Sequence, residues 1–356
     1  MDYFRVRRDP GIIARVSPSA TLPLSSRLLI FLFALCPCLL AQSNQTTVTP
    51  LADEDFSGAC HYEITLPQGN KPVRAVWVIF DRGRDITKFY SDAEVVGFAR
   101  REGMALMLAH QCAGKNAPGG AQEMDMDPSH GVGRALFTAL SQFAQQTGHP
   151  EISSAKIVLL GFSGTSALFA HFVGYAPDRV VAAVLANPAH YDPVGIDNVY
   201  LPAAAVFVPE LIIAGGADKI AGTQRPYDYF RSYGERGAPW AFVLQNKTLH
   251  CCVTNAKPLI LLWLSEVMKL RASSSNVPLH KINIKNGWLG SIRTCPSQIH
   301  DTWGNATWDV CDASIEPARQ MGHPDQISAG WFPSHKIARA WLAFIREPEH
   351  PTTSLP

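Results

Sequence analysis

A serine stands at residue 163 in the segment GFSG (residues 161–164), between an apolar run and a stretch of small and apolar residues. The run at residues 155–160 (AKIVLL) is typical of a buried strand, and residues 166–174 are typical of a helix. In a sharp strand-to-helix turn, a serine hydroxyl points away from the sheet and the first helix amides face any developing anion. The segment therefore predicts a nucleophile at Ser163. Thr165 replaces the usual last glycine of the motif, and a Gly-Ser turn without chemistry is the alternative.

A serine hydroxyl is a weak nucleophile until a base takes its proton, so a histidine and an orienting carboxylate are expected. In this topology they follow in the order serine, acid, histidine, on loops after later strands. Asp218 follows the apolar run at 210–214 (ELIIA), and His250 lies beyond the run at 240–245 (WAFVLQ). We therefore predict a triad of Ser163, His250 and Asp218. The alternatives are a capping carboxylate at Asp218 and a surface histidine at His250.

An oxyanion hole needs two backbone N–H donors. Gly164, directly after the serine, is the first candidate. The second is expected in the loop DRGRD (residues 81–85), which follows the apolar run at 73–80, so that Arg82 or Gly83 supplies it. A solvated charged turn is the alternative interpretation of this loop. An arginine side chain pointing into the pocket would favour a polar or anionic substrate.

Short apolar runs alternate with longer amphipathic stretches along residues 73–270. The runs are rich in Val, Ile and Leu and lack a clean alternation, which is typical of parallel strands buried on both faces. They lie at residues 73–80, 104–110, 155–160, 180–186, 210–214 and 240–245. Helices are predicted near residues 91–102, 132–146, 166–174, 227–236 and 257–270. The pattern predicts an α/β fold with a mostly parallel, doubly wound sheet and helices on both faces.

Composition excludes several classes of protein. The 356 residues carry a formal net charge of +1 and no long basic run, so nothing indicates a nucleic-acid partner. No glycine-rich phosphate loop follows an early strand, so no nucleotide or flavin cofactor is expected. Only one long apolar run occurs, which excludes a membrane protein with several spans.

That run, LLIFLFALCPCLLA at residues 28–41, follows an arginine-bearing stretch and contains Pro37. A spanning helix needs about 20 apolar residues, so residues 1–41 are predicted to be a secretory signal peptide. An N-terminal anchor is the alternative. The mature protein is expected to be secreted or periplasmic, with no stable membrane span after cleavage. Residues 42–57, rich in polar residues, are expected to be a loose leader.

Six cysteines remain after the predicted signal: Cys60, Cys112, Cys251, Cys252, Cys295 and Cys311. In an oxidising compartment they can form up to three disulfides. Cys295 and Cys311 bracket a polar loop and are the favoured pair. No metal site is expected, because no CxxC spacing occurs.

A change in composition after residue 271 predicts that residues 272–346 are an appendage packed on the main sheet, followed by a tail at 347–356. The appendage is rich in tryptophan: Trp288, Trp303, Trp308, Trp331 and Trp341. Aromatic platforms can bind sugar or aryl groups. We favour the simpler interpretation that these residues attach the appendage to the sheet, Trp331 and Trp341 above all. Asp301 and Asp309 are expected to make turns in preference to binding calcium.

Residues 58–271 resemble an α/β-hydrolase domain of the secreted esterase group, which includes feruloyl esterases and polyhydroxybutyrate depolymerases. The resemblance is carried by GFSG at 161–164, APDRV at 176–180, GGAD at 215–218 and His250. It implies cleavage of a small-molecule or polymer-linked carboxylic ester through an acyl-enzyme, with no cofactor.

Two further classes of function stay open: a serine peptidase or acyltransferase with the same triad, and a non-catalytic binding protein with a hydrolase fold. The pair His250-Cys251 is also similar to esterases in which a disulfide beside the histidine braces the triad. Phe162 precedes the serine here, so Cys251 or Cys252 is expected to pair elsewhere or to remain free.

Overall fold

The computed structural model describes residues 43–54, 58–69, 71–110, 112, 127–189, 196–272, 277–319 and 329–350. The predicted signal peptide at 1–41 and the end of the predicted tail, residues 351–356, lie outside the described residues. Among the residues that are described, no helix is both long and apolar enough to cross a membrane.

The core element is an eight-stranded sheet of order β1-β2-β4-β3-β5-β6-β7-β8. Its strands are β1 (Ser43–Val48), β2 (Cys60–Thr65), β3 (Ala75–Phe80), β4 (Met104–His110), β5 (Lys156–Phe162), β6 (Val180–Ala186), β7 (Glu210–Gly215) and β8 (Ala241–Gln245). Strands β4-β3-β5-β6-β7-β8 are parallel, whereas β1 and β2 run antiparallel to their neighbours. The predicted mostly parallel α/β sheet is therefore confirmed.

In the part of the chain that the structure describes, seven α-helices cover the two faces of this sheet. They are α1 (Arg84–Ser91), α2 (Ala93–Arg101), α3 (Val132–Thr147), α4 (Gly164–Tyr175), α5 (Gln224–Gly234), α6 (Lys257–Arg271) and α7 (His335–Ile345). Buried side chains of α3, α4 and α5 share one apolar core with the strands, and those of α1, α2, α6 and α7 share the other. Each parallel strand is buried on both faces, which explains why its sequence does not alternate.

The segment expected to be a loose leader contains a strand instead. Residues 43–48 form β1, which pairs with β2 at the edge of the sheet, and that expectation is wrong for these residues. The burial of β1 alternates between exposed and half-buried positions, as for an edge strand with one face in water. The sequence did not predict this strand because nearly all of its residues are polar. A disulfide between Cys60 and Cys112 links β2 to the chain just after β4.

The region after residue 271 contains a second sheet that the sequence did not predict. It has the order β10-β9-β11, with β9 (Trp288–His300), β10 (Ala306–Pro317) and β11 (Gly330–Phe332). The disulfide between Cys295 and Cys311 joins β9 to β10, as predicted.

Two tryptophans attach this region to β8. Trp331 donates its backbone N–H to Trp240 O, and Trp341 donates its indole N–H to Phe242 O at 2.8 Å. The Trp341 side chain is buried in a core of the main sheet, as expected. The Trp331 side chain is instead buried within the C-terminal region, beside Ile282 and Leu289, so only its backbone attaches the region to the main sheet.

Candidate active site

The turn between β5 and α4 carries Ser163. Its φ of 55° lies in the left-handed region, which a residue other than glycine rarely adopts and which costs about 1–3 kcal/mol. A Cβ atom at Gly161 would lie 2.5 Å from Thr165 O, so only glycine allows β5 to approach the first turn of α4 so closely. The sequence motif thus reflects two backbone requirements, and its serine is held at the tip of a strained turn.

Thr165, at the position where the usual pattern has glycine, has a structural role inside this turn. Its Oγ1 accepts a hydrogen bond from the Phe162 N–H at 2.8 Å and donates one to Phe162 O at 2.8 Å. The threonine side chain is fully buried. It therefore satisfies two buried backbone groups of the turn that would otherwise be costly to leave unpaired.

The structure brings together the three residues predicted to form the triad. His250 Nε2 lies 2.9 Å from Ser163 Oγ, and His250 Nδ1 lies 2.8 Å from Asp218 Oδ2. Because a carboxylate can only accept, Nδ1 carries the proton and Nε2 is free to accept from the serine hydroxyl. The carboxyl ends of β5 and β7 and the loop after β8 supply these residues.

Asp218 is fully buried and accepts hydrogen bonds on both carboxylate oxygens. Oδ1 accepts from the N–H groups of Ile220 and Ala221, and Oδ2 accepts from Asn187 Nδ2 at 2.9 Å as well as from His250. Burial alone would raise the pKa of this carboxyl, but the bonds from His250, Asn187 and Ile220 outweigh it and lower the pKa. Asp218 is thus held as an anion facing the imidazole.

Asn187 is the member of this cluster that sequence reasoning missed. It follows β6 directly, in the dipeptide Asn-Pro, and nothing in the local pattern distinguishes it from an ordinary turn residue. Strand ends that meet at one edge of a parallel sheet are the usual location of ligand and catalytic groups. The signal that could have found it is therefore its position at the carboxyl end of β6, between the strands that precede Ser163 and Asp218.

The predicted oxyanion donors lie in two places. Gly164 is the first residue of α4, so its N–H has no partner four residues earlier in the helix. In the loop after β3, Gly83 donates its N–H to Asp81 Oδ1 at 3.1 Å. Arg82, between them, is the other candidate in this loop.

A carboxylate connects this loop to the chain that follows the histidine. Asp85, in the first turn of α1, accepts from the Val253 N–H at 2.5 Å and from Thr254 Oγ1 at 3.1 Å. The predicted oxyanion loop and the loop that carries His250 are thereby joined by two hydrogen bonds.

Cys251 and Cys252 form a disulfide with each other, directly after His250. The expectation that one of them pairs elsewhere or stays free is therefore wrong. Cys252 has a φ of 72°, in the left-handed region. The next residue, Val253, donates its backbone N–H to Asp85. The expectation considered only a partner in another segment of the chain, whereas the bridge joins two adjacent residues.

One aromatic ring packs near the histidine, and two exposed apolar residues lie near the triad in the sequence. The Phe162 ring lies 4.9 Å from the His250 ring, centroid to centroid. Leu249, directly before His250, and Ile220, two residues after Asp218, are each 49% exposed. The tip of the β9–β10 hairpin reaches the loop after Asp218, where Thr302 Oγ1 donates to Lys219 O at 2.8 Å.

No group of three or more potential metal ligands occurs within the described ranges. Asp301 instead accepts hydrogen bonds from the N–H groups of Trp303 and Asn305, which is turn chemistry as expected. Asp309 lies within β10 and accepts from the Lys247 N–H at 2.9 Å, so the expectation that it makes a turn is wrong.

The order of the sheet and the serine at the turn after β5 are those of the α/β-hydrolase fold, as the sequence predicted. No family model matches the chain, and no curated protein matches it.

Solved structures similar to this chain include three hydrolases. The fluorophosphonate-binding serine hydrolase F of Staphylococcus aureus is 11% identical, with 63% of this chain and 98% of that chain covered and a TM-score of 0.43. A ferulic acid esterase is 12% identical, with 64% and 98% covered and a TM-score of 0.45. An α/β hydrolase from a Medee basin deep-sea metagenome library is 15% identical, with 65% and 100% covered and a TM-score of 0.46. These identities are too low to transfer an activity.

Proposed function

We propose that this protein is a secreted serine hydrolase that cleaves carboxylic esters through an acyl-enzyme. The observation that carries the proposal is the continuous set of hydrogen bonds from Ser163 Oγ through the His250 ring to Asp218. A buried acid, an oriented histidine and a serine in a strained turn are the arrangement that nucleophilic catalysis requires.

In the first half of the reaction, Ser163 Oγ attacks the ester carbonyl while His250 Nε2 takes the hydroxyl proton. The tetrahedral oxyanion accepts hydrogen bonds from the Gly164 N–H and from the loop at residues 82–83, with Arg82 favoured because Gly83 already donates to Asp81. His250 then gives its proton to the leaving alcohol, and the acyl group stays on Ser163. Asp218 stabilises the imidazolium throughout.

In the second half, His250 takes a proton from a water molecule, which attacks the acyl carbonyl of Ser163. The carboxylic acid leaves, and the serine recovers its proton from His250. Phe162, Ile220 and Leu249 give the surroundings an apolar character, which favours esters with apolar acyl or aryl groups. The same steps serve a peptidase or an acyltransferase, so ester cleavage in particular rests on substrate measurements.

Purified wild-type protein and a Ser163→Ala variant test the proposal. Both are assayed on a panel of p-nitrophenyl esters of increasing acyl length, with peptide p-nitroanilides and an acceptor alcohol added as separate arms. Ser141→Ala, an exposed serine on α3, is the matched control. We expect ester hydrolysis in the wild type and the control and none above background in Ser163→Ala. Equal hydrolysis by Ser163→Ala would overturn the proposal.

A binding protein with a hydrolase fold is the second candidate. Its motivation is Thr165 in place of the usual last glycine of the motif, together with the charged loop DRGRD where the second oxyanion donor is expected. A folded wild-type protein that hydrolyses none of the esters and amides would favour it.

Export is part of the proposal and is supported by the three disulfides. Expression of the full chain with its N-terminal segment, followed by cell fractionation and mass determination, tests it. We expect the mature protein outside the cytoplasm, with a mass that fits cleavage near residue 41. Full-length protein retained in the cytoplasm or in the membrane fraction would contradict it.

A further inference from the structure

Asn187 occupies a constrained position at the carboxyl end of β6. It is fully buried, and its φ of 46° lies in the left-handed region. Its backbone N–H donates to Ile213 O in β7 at 2.7 Å, which fixes the residue next to the strand that precedes the acid.

The side-chain amide reaches the acid of the triad. Asn187 Nδ2 donates to Asp218 Oδ2 at 2.9 Å, and the same oxygen accepts from His250 Nδ1 at 2.8 Å. Because the carboxylate cannot donate, the amide must present its NH2 group here. Rotation of the carboxyl group away from His250 would break the bond from Asn187 as well.

The residues on either side of Asn187 hold the nucleophile. Ala186 O accepts from the Ser163 N–H at 2.9 Å, and the Ala189 N–H donates to Ser163 O at 3.3 Å. The segment 186–189 therefore touches the serine turn with its backbone and the acid with the Asn187 side chain. It connects two triad members that lie on different loops.

Asparagine is also the residue type that best suits the connection between the serine turn and the acid. The left-handed region favours Gly, Asn and Asp among the natural residues. Glycine would lack the donor, and aspartate would set a second carboxylate against Asp218. Asparagine is the one of the three that combines this backbone conformation with a neutral hydrogen-bond donor.

We infer that Asn187 is a positioning residue for the triad, which holds Asp218 Oδ2 toward His250 Nδ1 and keeps the acid in register with the serine turn. The inference rests on the proposed function and deepens it. It predicts that activity depends on the donor at residue 187, and not on the space that the side chain fills.

Two variants separate the effect of the hydrogen-bond donor at residue 187 from the effect of the space that its side chain fills. Asn187→Gly keeps the left-handed backbone without strain and removes only the side chain. Asn187→Asp keeps both the backbone preference and the shape but replaces the donor with an acceptor. Asn44→Asp on the edge strand β1 controls for the change in net charge. For each, kcat and KM on a p-nitrophenyl ester and the melting temperature are measured across pH.

We expect Asn187→Gly to lower kcat by about 10- to 100-fold with KM little changed, because the substrate pocket is untouched while the base is misoriented. Asn187→Asp should lose at least as much. Its rate–pH profile should rise only at higher pH, because a second carboxylate near the triad favours the protonated imidazole, which cannot accept the serine proton. Asn44→Asp should match the wild type.

An Asn187→Asp variant with wild-type kcat would overturn the inference, since shape would then suffice, and so would an Asn187→Gly variant with wild-type kcat. If either variant does not fold, the other decides. Ser163→Ala is measured beside them. Hydrolysis that survives Ser163→Ala refutes the proposed function itself, whereas loss there with wild-type rates at residue 187 refutes only the role of Asn187.

Discussion

At the scale of the residue, the carboxyl of Asp218 combines complete burial with four accepted hydrogen bonds. Burial of a charge is costly unless such bonds compensate, so the anion and its donors depend on each other. The donors outweigh burial and lower its pKa, so protonation of this one group affects both orientation of His250 and the stability of the fold.

The lowered pKa of Asp218 determines the direction in which pH changes the stability of the fold. The pKa of Asp218 is lower in the folded protein than its value of about 3.9 in the unfolded chain. Its contribution is therefore fully present above about pH 4 and is lost as the pH falls through the folded value. We expect the unfolding free energy, measured by urea titration, to fall less steeply below about pH 4 in Asp218→Asn than in the wild type. Equal slopes would contradict this.

The hydrogen bonds of the Thr165 side chain lead to a second prediction, about the unfolding free energy of a single-residue variant. Thr165→Val keeps the shape but leaves the Phe162 N–H and O without their side-chain partner. An unpaired buried polar group costs about 1–3 kcal/mol, so we expect a loss of that size in unfolding free energy. Thr165→Ser retains the hydroxyl and is the control. A valine variant as stable as the wild type would show that the hydroxyl does not support the turn.

At the scale of the element, the loop after β8 is held from two sides. The disulfide between Cys251 and Cys252 follows His250 directly, and Asp85 of α1 binds the chain at Val253 and Thr254. The imidazole is therefore attached to a short segment whose next residues are fixed to the predicted oxyanion loop.

We expect the double variant Cys251→Ser, Cys252→Ser to lose between about 10- and 100-fold in kcat, because a small displacement of the base is enough for that loss. The paired control is Cys295→Ser, Cys311→Ser, which removes the disulfide of the β9–β10 hairpin instead. Steady-state kinetics under identical conditions compares the two. Equal kcat in the wild type and the Cys251, Cys252 double variant would show that the disulfide does not position His250.

Some of the strands could be predicted from the sequence, and others could not. Buried parallel strands such as β4 and β6 have continuous apolar runs, and their bounds were predicted to the residue. The edge strand β1 was missed because its polar residues face water. The hairpin of β9 and β10 was missed because most of its positions are exposed or half-buried, so its strands lack a continuous apolar run.

Some residues of the candidate active site could likewise be predicted from the sequence, and others could not. Ser163, Asp218 and His250 follow apolar strands in a fixed chain order, so their types and positions could be predicted together. Asn187 and the Cys251–Cys252 disulfide could not, because their roles depend on contacts between loops that are far apart in sequence.

At the scale of the whole molecule, the C-terminal region completes one of the two apolar cores. Phe332, Trp341 and Ile345 are buried in the same core as α1, α2 and α6. In addition, Asn246 Nδ2, just after β8, donates to Ile345 O and Glu347 O. We propose that residues 272–346 fold as part of the hydrolase domain.

A pair of tryptophans tests this integration. Trp341→Ala should lower the unfolding free energy by about 3–5 kcal/mol, as for other buried tryptophans, and should shift the whole unfolding transition. Trp303→Ala, at the tip of the hairpin, should change it by no more than about 1 kcal/mol, because the residue is 41% exposed and its ring packs on the Arg225 guanidinium. Two separate transitions in Trp341→Ala, with the main one unshifted, would indicate an independently folded appendage.

The proposed reaction requires a covalent acyl intermediate on Ser163, which mass spectrometry can detect. The protein is mixed with a p-nitrophenyl ester, quenched in acid within the first turnovers, digested and mapped. We predict one acyl adduct on the peptide that contains Ser163, absent when His250→Ala is treated in the same way. An adduct on another residue, or rapid ester hydrolysis by a Ser163→Ala variant, would contradict an acyl-enzyme at Ser163.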